Sequence, residues 1–99
     1  MQKSIYTDQQ QHFLELLRAV RKEAGLTQHQ LAERLGTLQS RITDYERGIR
    51  RLDLMELRQV CVAVGVPLME FVRRFEETNN SQEMATSSQE VDAAGLSSD

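Results

Sequence analysis

The segment from Gln28 to Gly48 constrains the fold of this chain more than any other. Apolar residues recur in it at the spacing of one helical face, first before and then after a glycine. Ala32 is small at the point where two such helices would cross. Gly36 lies between them, where a left-handed backbone is cheap only for glycine. The segment therefore predicts two short helices, joined by a tight turn, that bury Leu31, Leu35, Ile42 and Tyr45 against each other.

Capping residues and helical periodicity predict three further helices. Thr27 with Gln30 and Asp53 with Glu56 have the spacing of a capping box, in which two residues satisfy each other's free backbone N–H groups. No segment alternates as a strand does, so the fold class is all-α. The predicted helices run from Thr7 or Asp8 to about Ala24, from Thr27 to about Leu35, from about Gln39 to Arg47, from Asp53 to Gly65, and onward from Pro67.

Composition narrows the classes of protein. Cys61 is the only cysteine and stands among valines, which predicts a buried, inert thiol and excludes an internal disulfide. His12 and His29 are the only histidines, and no nucleophile clusters with a base, so neither a metal, a cofactor nor an enzymatic activity is expected. No apolar run approaches the roughly 20 residues of a membrane span. The polar start lacks a signal peptide, so a cytoplasmic location is expected.

The net charge of −3 hides an uneven distribution. Residues 1–77 carry all twelve bases and eleven acids, whereas residues 78–99 carry four acids and no base. Local rather than total charge is what meets DNA phosphates. Near the second helix of the pair, Asp44 and Glu46 only partly offset a cluster of arginines, which comprises Arg34, Arg41, Arg47, Arg50 and Arg51. A polar helix face beside such a cluster is typical of a helix that reads the major groove.

Residues 78–99 differ from the rest of the chain in being acidic, rich in Ser and Thr, and free of aromatic residues. Such a segment cannot bury enough apolar surface to offset its ordering entropy. We predict one helical domain over residues 1–77 and a disordered tail over residues 78–99. A short helix in the tail, or a role for it in binding a protein partner, remains an alternative.

The motifs GLTQ, LAERLG and YERG occur together within LRAVRKEAGLTQHQLAERLG and QSRITDYERG, and LRQVCVAVGVPLMEFV follows them. Over residues 14–76 the chain resembles the phage repressor and Cro type of helix-turn-helix domain, also called the XRE type. The resemblance implies a bacterial or phage protein with five helices, the third lying in the major groove. It also implies a homodimer on palindromic double-stranded DNA.

The resemblance implies contacts to DNA at positions on the second helix, the third helix and the loop after it. Gln28 matches a position that touches a phosphate and braces the third helix, although a simple first-turn role is the alternative. Thr43 is alternatively a cover for the edge of the core. Chemically, Gln suits adenine and Arg suits guanine. The implied DNA-binding residues are Gln28, Gln39, Ser40, Arg41, Thr43, Asp44, Arg47, Arg50 and Arg51.

Other implied roles are structural. Arg21 and Glu46 match an ion pair that joins the first helix to the third. Leu38 stands where the family usually places a Ser or Thr cap, and leucine offers no oxygen to the free N–H groups of the helix. Asp44 stands where a neutral or basic residue is commoner, and its carboxylate suits a cytosine amino group. The fifth helix is expected to bury Phe71 and to supply a dimer interface through Leu68, Val72 and Phe75. The alternative is that all four residues belong to the core, and for Phe75 the two interpretations are equally supported.

Two functions follow from these features. The leading hypothesis is a dimeric, sequence-specific transcriptional regulator, either a repressor or an autoregulator. The alternative is an antitoxin that binds its operator and holds a protein toxin through the tail or a helical face.

Overall fold

The computed structural model describes the backbone of residues 5–86 and the side chains of residues 8–80. Within that range the chain forms five α-helices and no β-strand, which confirms the predicted all-α class. The helices are α1 (Ile5–Glu23), α2 (Gln28–Leu35), α3 (Gln39–Arg47), α4 (Leu54–Val64) and α5 (Leu68–Thr86).

Both predicted capping boxes are present. The Gln30 backbone N–H donates to Thr27 Oγ1 at 3.0 Å, and the Thr27 backbone N–H donates to Gln30 Oε1 at 2.9 Å. At α4 the corresponding bonds between Asp53 and Glu56 measure 2.7 and 2.9 Å. These reciprocal bonds satisfy donors that would otherwise be free at a helix N-terminus, and they fix where α2 and α4 begin.

One predicted helix boundary is corrected. α1 begins at Ile5, so Thr7 and Asp8 lie inside the helix rather than capping it. Asp8 stands in the first turn, where a carboxylate interacts favourably with the helix dipole. At the other end α5 continues through Thr86, nine residues past the boundary predicted after residue 77. The remainder of the predicted tail, residues 87–99, lies outside the described residues.

A contact between α1 and α5 accounts for part of this extension. Asn79 is only 6% exposed. Its Oδ1 lies 2.9 Å from His12 Nδ1, and its Nδ2 donates to the Phe75 carbonyl at 2.9 Å. Because a buried amide needs such partners, the bond to His12 holds α5 against α1 beyond residue 77.

The core lies between α1, the α2–α3 pair and the α4–α5 pair. Phe71 is 2% exposed, as predicted, and its ring meets Phe13 edge to face at a centroid distance of 5.9 Å. Cys61 is buried, as predicted, and desolvation raises the pKa of its thiol. The remaining buried apolar residues are Leu14, Leu17, Val20, Leu26, Leu31, Ala32, Ile42, Tyr45, Val60 and Val64.

Candidate nucleic-acid interface

Helix α3 has one buried face and one polar face. Ile42, Tyr45 and Glu46 are its buried residues. Since successive residues of an α-helix are about 100° apart, the opposite side carries Ser40, Asp44 and Arg47. Ser40 and Arg47 are exposed and Asp44 is half-buried. We call these three residues the outer face of α3; it offers a hydroxyl, a carboxylate and a guanidinium to any molecule that approaches.

The other predicted α3 contacts flank this outer face. Gln39 is exposed in the first turn, and Thr43 is half-buried on the side of α2. Arg41 lies at the opposite edge, where it lines a cleft together with Tyr45 and with Glu56 of α4. The structure therefore brings the predicted α3 residues together on one side of the domain, with Arg41 turned toward α4.

A buried ion pair supports α3 from behind. Arg21 Nε donates to Glu46 Oε2 at 2.6 Å, and Arg21 Nη2 donates to Glu46 Oε1 at 3.0 Å. The third nitrogen, Nη1, donates to the Leu26 carbonyl at 2.9 Å. The two side chains are only 10% and 4% exposed. The two-pronged geometry fixes the direction of both side chains, so this pair joins α1 to α3 in one orientation.

Gln28 extends this network to the edge of the outer face. Its Nε2 donates to Glu46 Oε1 at 3.0 Å, while its Oε1 accepts from Thr43 Oγ1 at 2.7 Å. The half-buried Gln28 side chain therefore braces α3 through Glu46 and Thr43, and it is more than a simple first-turn residue. The same bond gives Thr43 a structural role at the edge of α3.

The loop after α3 places further basic residues beside the outer face. The backbone N–H groups of Ile49 and Arg50 both donate to the Asp44 carbonyl, at 2.9 and 3.2 Å. Gly48 has a φ of +78° and approaches α1 so closely that an added Cβ would lie 3.0 Å from Leu14 Cδ1. This tight turn puts the exposed side chains of Arg50 and Arg51 directly after α3.

Two arginines have structural contacts that sequence reasoning missed. Arg18 Nη1 donates to the Glu46 carbonyl at 2.8 Å, which adds a second tie between α1 and α3. Arg34 Nη1 donates to the Ala63 carbonyl at 2.8 Å, and this bond joins α2 to the end of α4. Arg34 therefore has a structural contact that distinguishes it from the other arginines of the predicted cluster. Neither partner is a side chain, so no charge pattern in the sequence marks these bonds.

The predicted dimer residues divide into two sets. Leu68 and Phe75 are half-buried; Leu68 packs against the core, and the Phe75 ring lies 6.2 Å from that of Phe13, edge to face. Val72 is 42% exposed, and its neighbour Met69 is 85% exposed. Among the described side chains of α5, Val72 and Met69 therefore carry the outward apolar surface.

Other classes of site find little support in the described part of the chain. No three His, Cys, Asp or Glu side chains of those residues are placed to hold a metal ion. None of the described helices is both long enough and apolar enough to cross a membrane.

These features define a helix-turn-helix domain, with α2 and α3 as its two central helices. The helix-turn-helix family model matches residues 17–71, more than half of the chain. A solved structure described as an XRE-family like protein from Pseudomonas syringae pv. tomato str. DC3000 shares 35% sequence identity with this chain, at a TM-score of 0.70. The match covers 75% of this chain and 90% of that chain. A search of curated proteins finds no match. The chain belongs to the XRE-type helix-turn-helix family of DNA-binding regulators.

Proposed function

We propose that this chain is a sequence-specific transcriptional regulator that binds a palindromic operator as a symmetric homodimer and acts as a repressor or autoregulator. The observation that carries the proposal is the construction of α3. Its outer face is polar, while Arg21, Glu46 and Gln28 fix the helix from behind. A helix held in one orientation presents its side chains to base edges at defined positions, which sequence discrimination requires.

Each part of this surface suits a different part of DNA. Gln39 can pair with adenine through its amide, and the Asp44 carboxylate can accept from a cytosine amino group. Arg47, Arg50 and Arg51 suit phosphates, which position the protein without reading sequence. We therefore assign sequence discrimination to Gln39, Ser40 and Asp44, and affinity to the three arginines.

A dimer accounts for the apolar surface of α5. Val72 exposes 42% of its surface beside the half-buried Leu68 and Phe75. A two-fold contact through this helix would bury that surface and place two α3 helices in successive major grooves, about 34 Å apart.

The first test is fluorescence anisotropy with the DNA upstream of the chain's own gene and with a scrambled duplex, at several salt concentrations. Tight, salt-sensitive binding with preference for the upstream DNA is expected of an autoregulator. Weak binding with little salt dependence on either duplex would contradict DNA recognition and favour a protein partner.

A matched pair of charge variants sharpens this test. Arg50→Ala should lower the salt slope of binding by about 1, because one phosphate contact is lost. Arg73→Ala removes the same charge from α5, where Arg73 pairs with Glu70 and Glu77, and it should leave the slope unchanged. Equal effects of the two variants would show that total charge, not this surface, sets the affinity.

A further inference from the structure

Leu38 is an apolar side chain whose position is explained neither by packing nor by capping. It is the N-cap residue of α3, and its side chain makes no capping hydrogen bond. It is 74% exposed. By contrast, α2 and α4 both begin at residues that do cap, Thr27 and Asp53. At α3 a leucine takes the place of the stabilising oxygen.

Leu38 lies beside the outer face of α3. It lines a shallow concave surface that also includes Thr37, Ser40, Arg41, Asp44 and Arg50. Leu38 is the aliphatic member of this otherwise polar surface. A base pair that met Ser40 and Asp44 would therefore lie within reach of the Leu38 side chain as well.

The major groove offers one apolar group, the C5-methyl of thymine. An exposed leucine at the start of a groove-reading helix is apolar, as this methyl group is. Leucine cannot form a hydrogen bond with the donors and acceptors of the base edges or with a phosphate. The contact would remove apolar surface of both partners from water.

We propose that Leu38 is a specificity-determining residue that reads the 5-methyl group of a thymine in each half-site. The inference rests on the proposed DNA-binding function and deepens it. Asp44 and Ser40 discriminate by hydrogen bonding, whereas Leu38 discriminates by shape and hydrophobicity, and it rejects cytosine at its position because cytosine lacks the methyl group.

The test uses duplexes that the chain itself selects from a random library. Each thymine of the enriched sequence is replaced, one at a time, by deoxyuridine, which removes the methyl group and leaves base pairing unchanged. Wild-type binding should weaken about fourfold at one thymine position per half-site. This factor corresponds to the roughly 0.8 kcal/mol gained by burying one methyl-sized group. Leu38→Ala should bind the thymine duplex more weakly and show no further loss with deoxyuridine.

Two control variants separate recognition from folding. Leu38→Ser also lacks the leucine side chain but supplies a capping oxygen, so it should fold at least as stably as wild type and still ignore the methyl group. Val62→Ala shortens another exposed aliphatic side chain, on α4, and should keep the wild-type response to deoxyuridine.

The outcomes distinguish this inference from the function on which it rests. An enriched duplex at which no thymine responds, or at which Leu38→Ala responds as wild type does, would overturn the role of Leu38 and leave the regulator intact. Loss of the response in Val62→Ala would also overturn it, because the effect would then be general. Failure to enrich any sequence would overturn both proposals.

Discussion

Among single residues, Glu46 makes more contacts between elements than its place on a short surface helix suggests. Its carboxylate accepts from Arg21 and Gln28, and its carbonyl accepts from Arg18. Two charges taken out of water are costly unless geometry and hydrogen bonds compensate them, and here every guanidinium nitrogen of Arg21 donates. The pair therefore serves mainly to fix the orientation of α3.

Replacing Glu46 by glutamine should destabilise the domain by about 3 kcal/mol, because the buried Arg21 cation then lacks a counter-charge. Urea unfolding of wild type and Glu46→Gln measures this loss. Glu33→Gln is the matched control, since Glu33 is exposed and pairs only with His29 among the ion pairs found here. Losses of equal size in both variants would contradict a buried structural pair.

The side-chain contacts that could be predicted from the sequence are those between residues close together in the chain and those implied by the resemblance to the family. Thr27 and Gln30 are three residues apart, so their capping box could be predicted from local spacing alone. The bond between Gln28 and Thr43 spans the turn and depends on how α2 and α3 cross. No local pattern marks it, because either residue is equally at home on a helix surface.

At the scale of elements, the turn between α3 and α4 determines where the loop arginines lie relative to α1. Gly48 and Gly36 both have positive φ, of +78° and +69°. They differ in surroundings, since a Cβ at Gly48 would meet the buried Leu14 and a Cβ at Gly36 would meet nothing within 4 Å. Substituting each glycine by alanine therefore distinguishes two costs: backbone strain alone at Gly36, and backbone strain with a steric clash at Gly48.

Gly36→Ala should cost about 1 kcal/mol, the backbone strain alone. Gly48→Ala should cost about 2–3 kcal/mol, because Leu14 must also shift. It should weaken DNA binding too, since the loop that carries Arg50 moves with Gly48. Chemical denaturation and anisotropy measure the two effects, and equal stability losses would show that Leu14 moves aside at no cost.

A second element-scale contact makes stability depend on pH. Arg74 of α5 donates to both carboxylate oxygens of Glu23 at the end of α1, at 3.1 and 2.8 Å. The hydrogen bond to Arg74 holds the pKa of Glu23 below its ordinary value. Because the folded state binds this proton less readily than the unfolded chain, the stabilisation is complete above the ordinary pKa. It is lost as the pH falls through the lowered one.

Glu23→Gln should therefore melt at a lower temperature than wild type at pH 7. The difference should shrink as the pH falls below the ordinary pKa of about 4.5. Thermal melts of both proteins between pH 7 and pH 3 test this. Glu70, whose pKa is lowered by Arg73, is present in both proteins, so its contribution cancels in the comparison. A difference that stayed constant over this range would exclude the ion pair as its cause.

The helices were predictable to different extents for physical reasons. In α2, α3 and α4 the apolar residues recur at helical spacing, and each helix is followed by a glycine in the left-handed conformation. The residues at which these helices end therefore follow from local sequence. The end of α5 does not. Asn79 is buried by a partner 67 residues away, and nothing near residue 79 in the sequence distinguishes it from a solvated asparagine.

In the whole molecule, the surface assigned to DNA and the surface assigned to a second copy lie on different elements. The arginines of the first surface follow α3, whereas Val72 and Met69 belong to α5, which packs against α1 and α4. Charge is divided along the chain as well, since every base precedes residue 75. An overall pI near 5.4 therefore describes neither surface. This division predicts that dimerisation can be removed without altering α3.

Val72→Glu places a charge in the apolar surface of α5 and should convert the proposed dimer to a monomer, because a buried unpaired carboxylate is costly. Binding to a full palindrome should fall at least tenfold, since the second half-site no longer binds intramolecularly. Binding to a single half-site should be unchanged. Val62→Glu, which adds the same charge to an exposed position on α4, is the control and should remain dimeric. Analytical ultracentrifugation and anisotropy on whole and half sites measure both properties. A Val72→Glu variant that stayed dimeric would show that the interface does not lie on this face of α5. A monomeric variant with full affinity for the palindrome would show that one copy suffices for recognition.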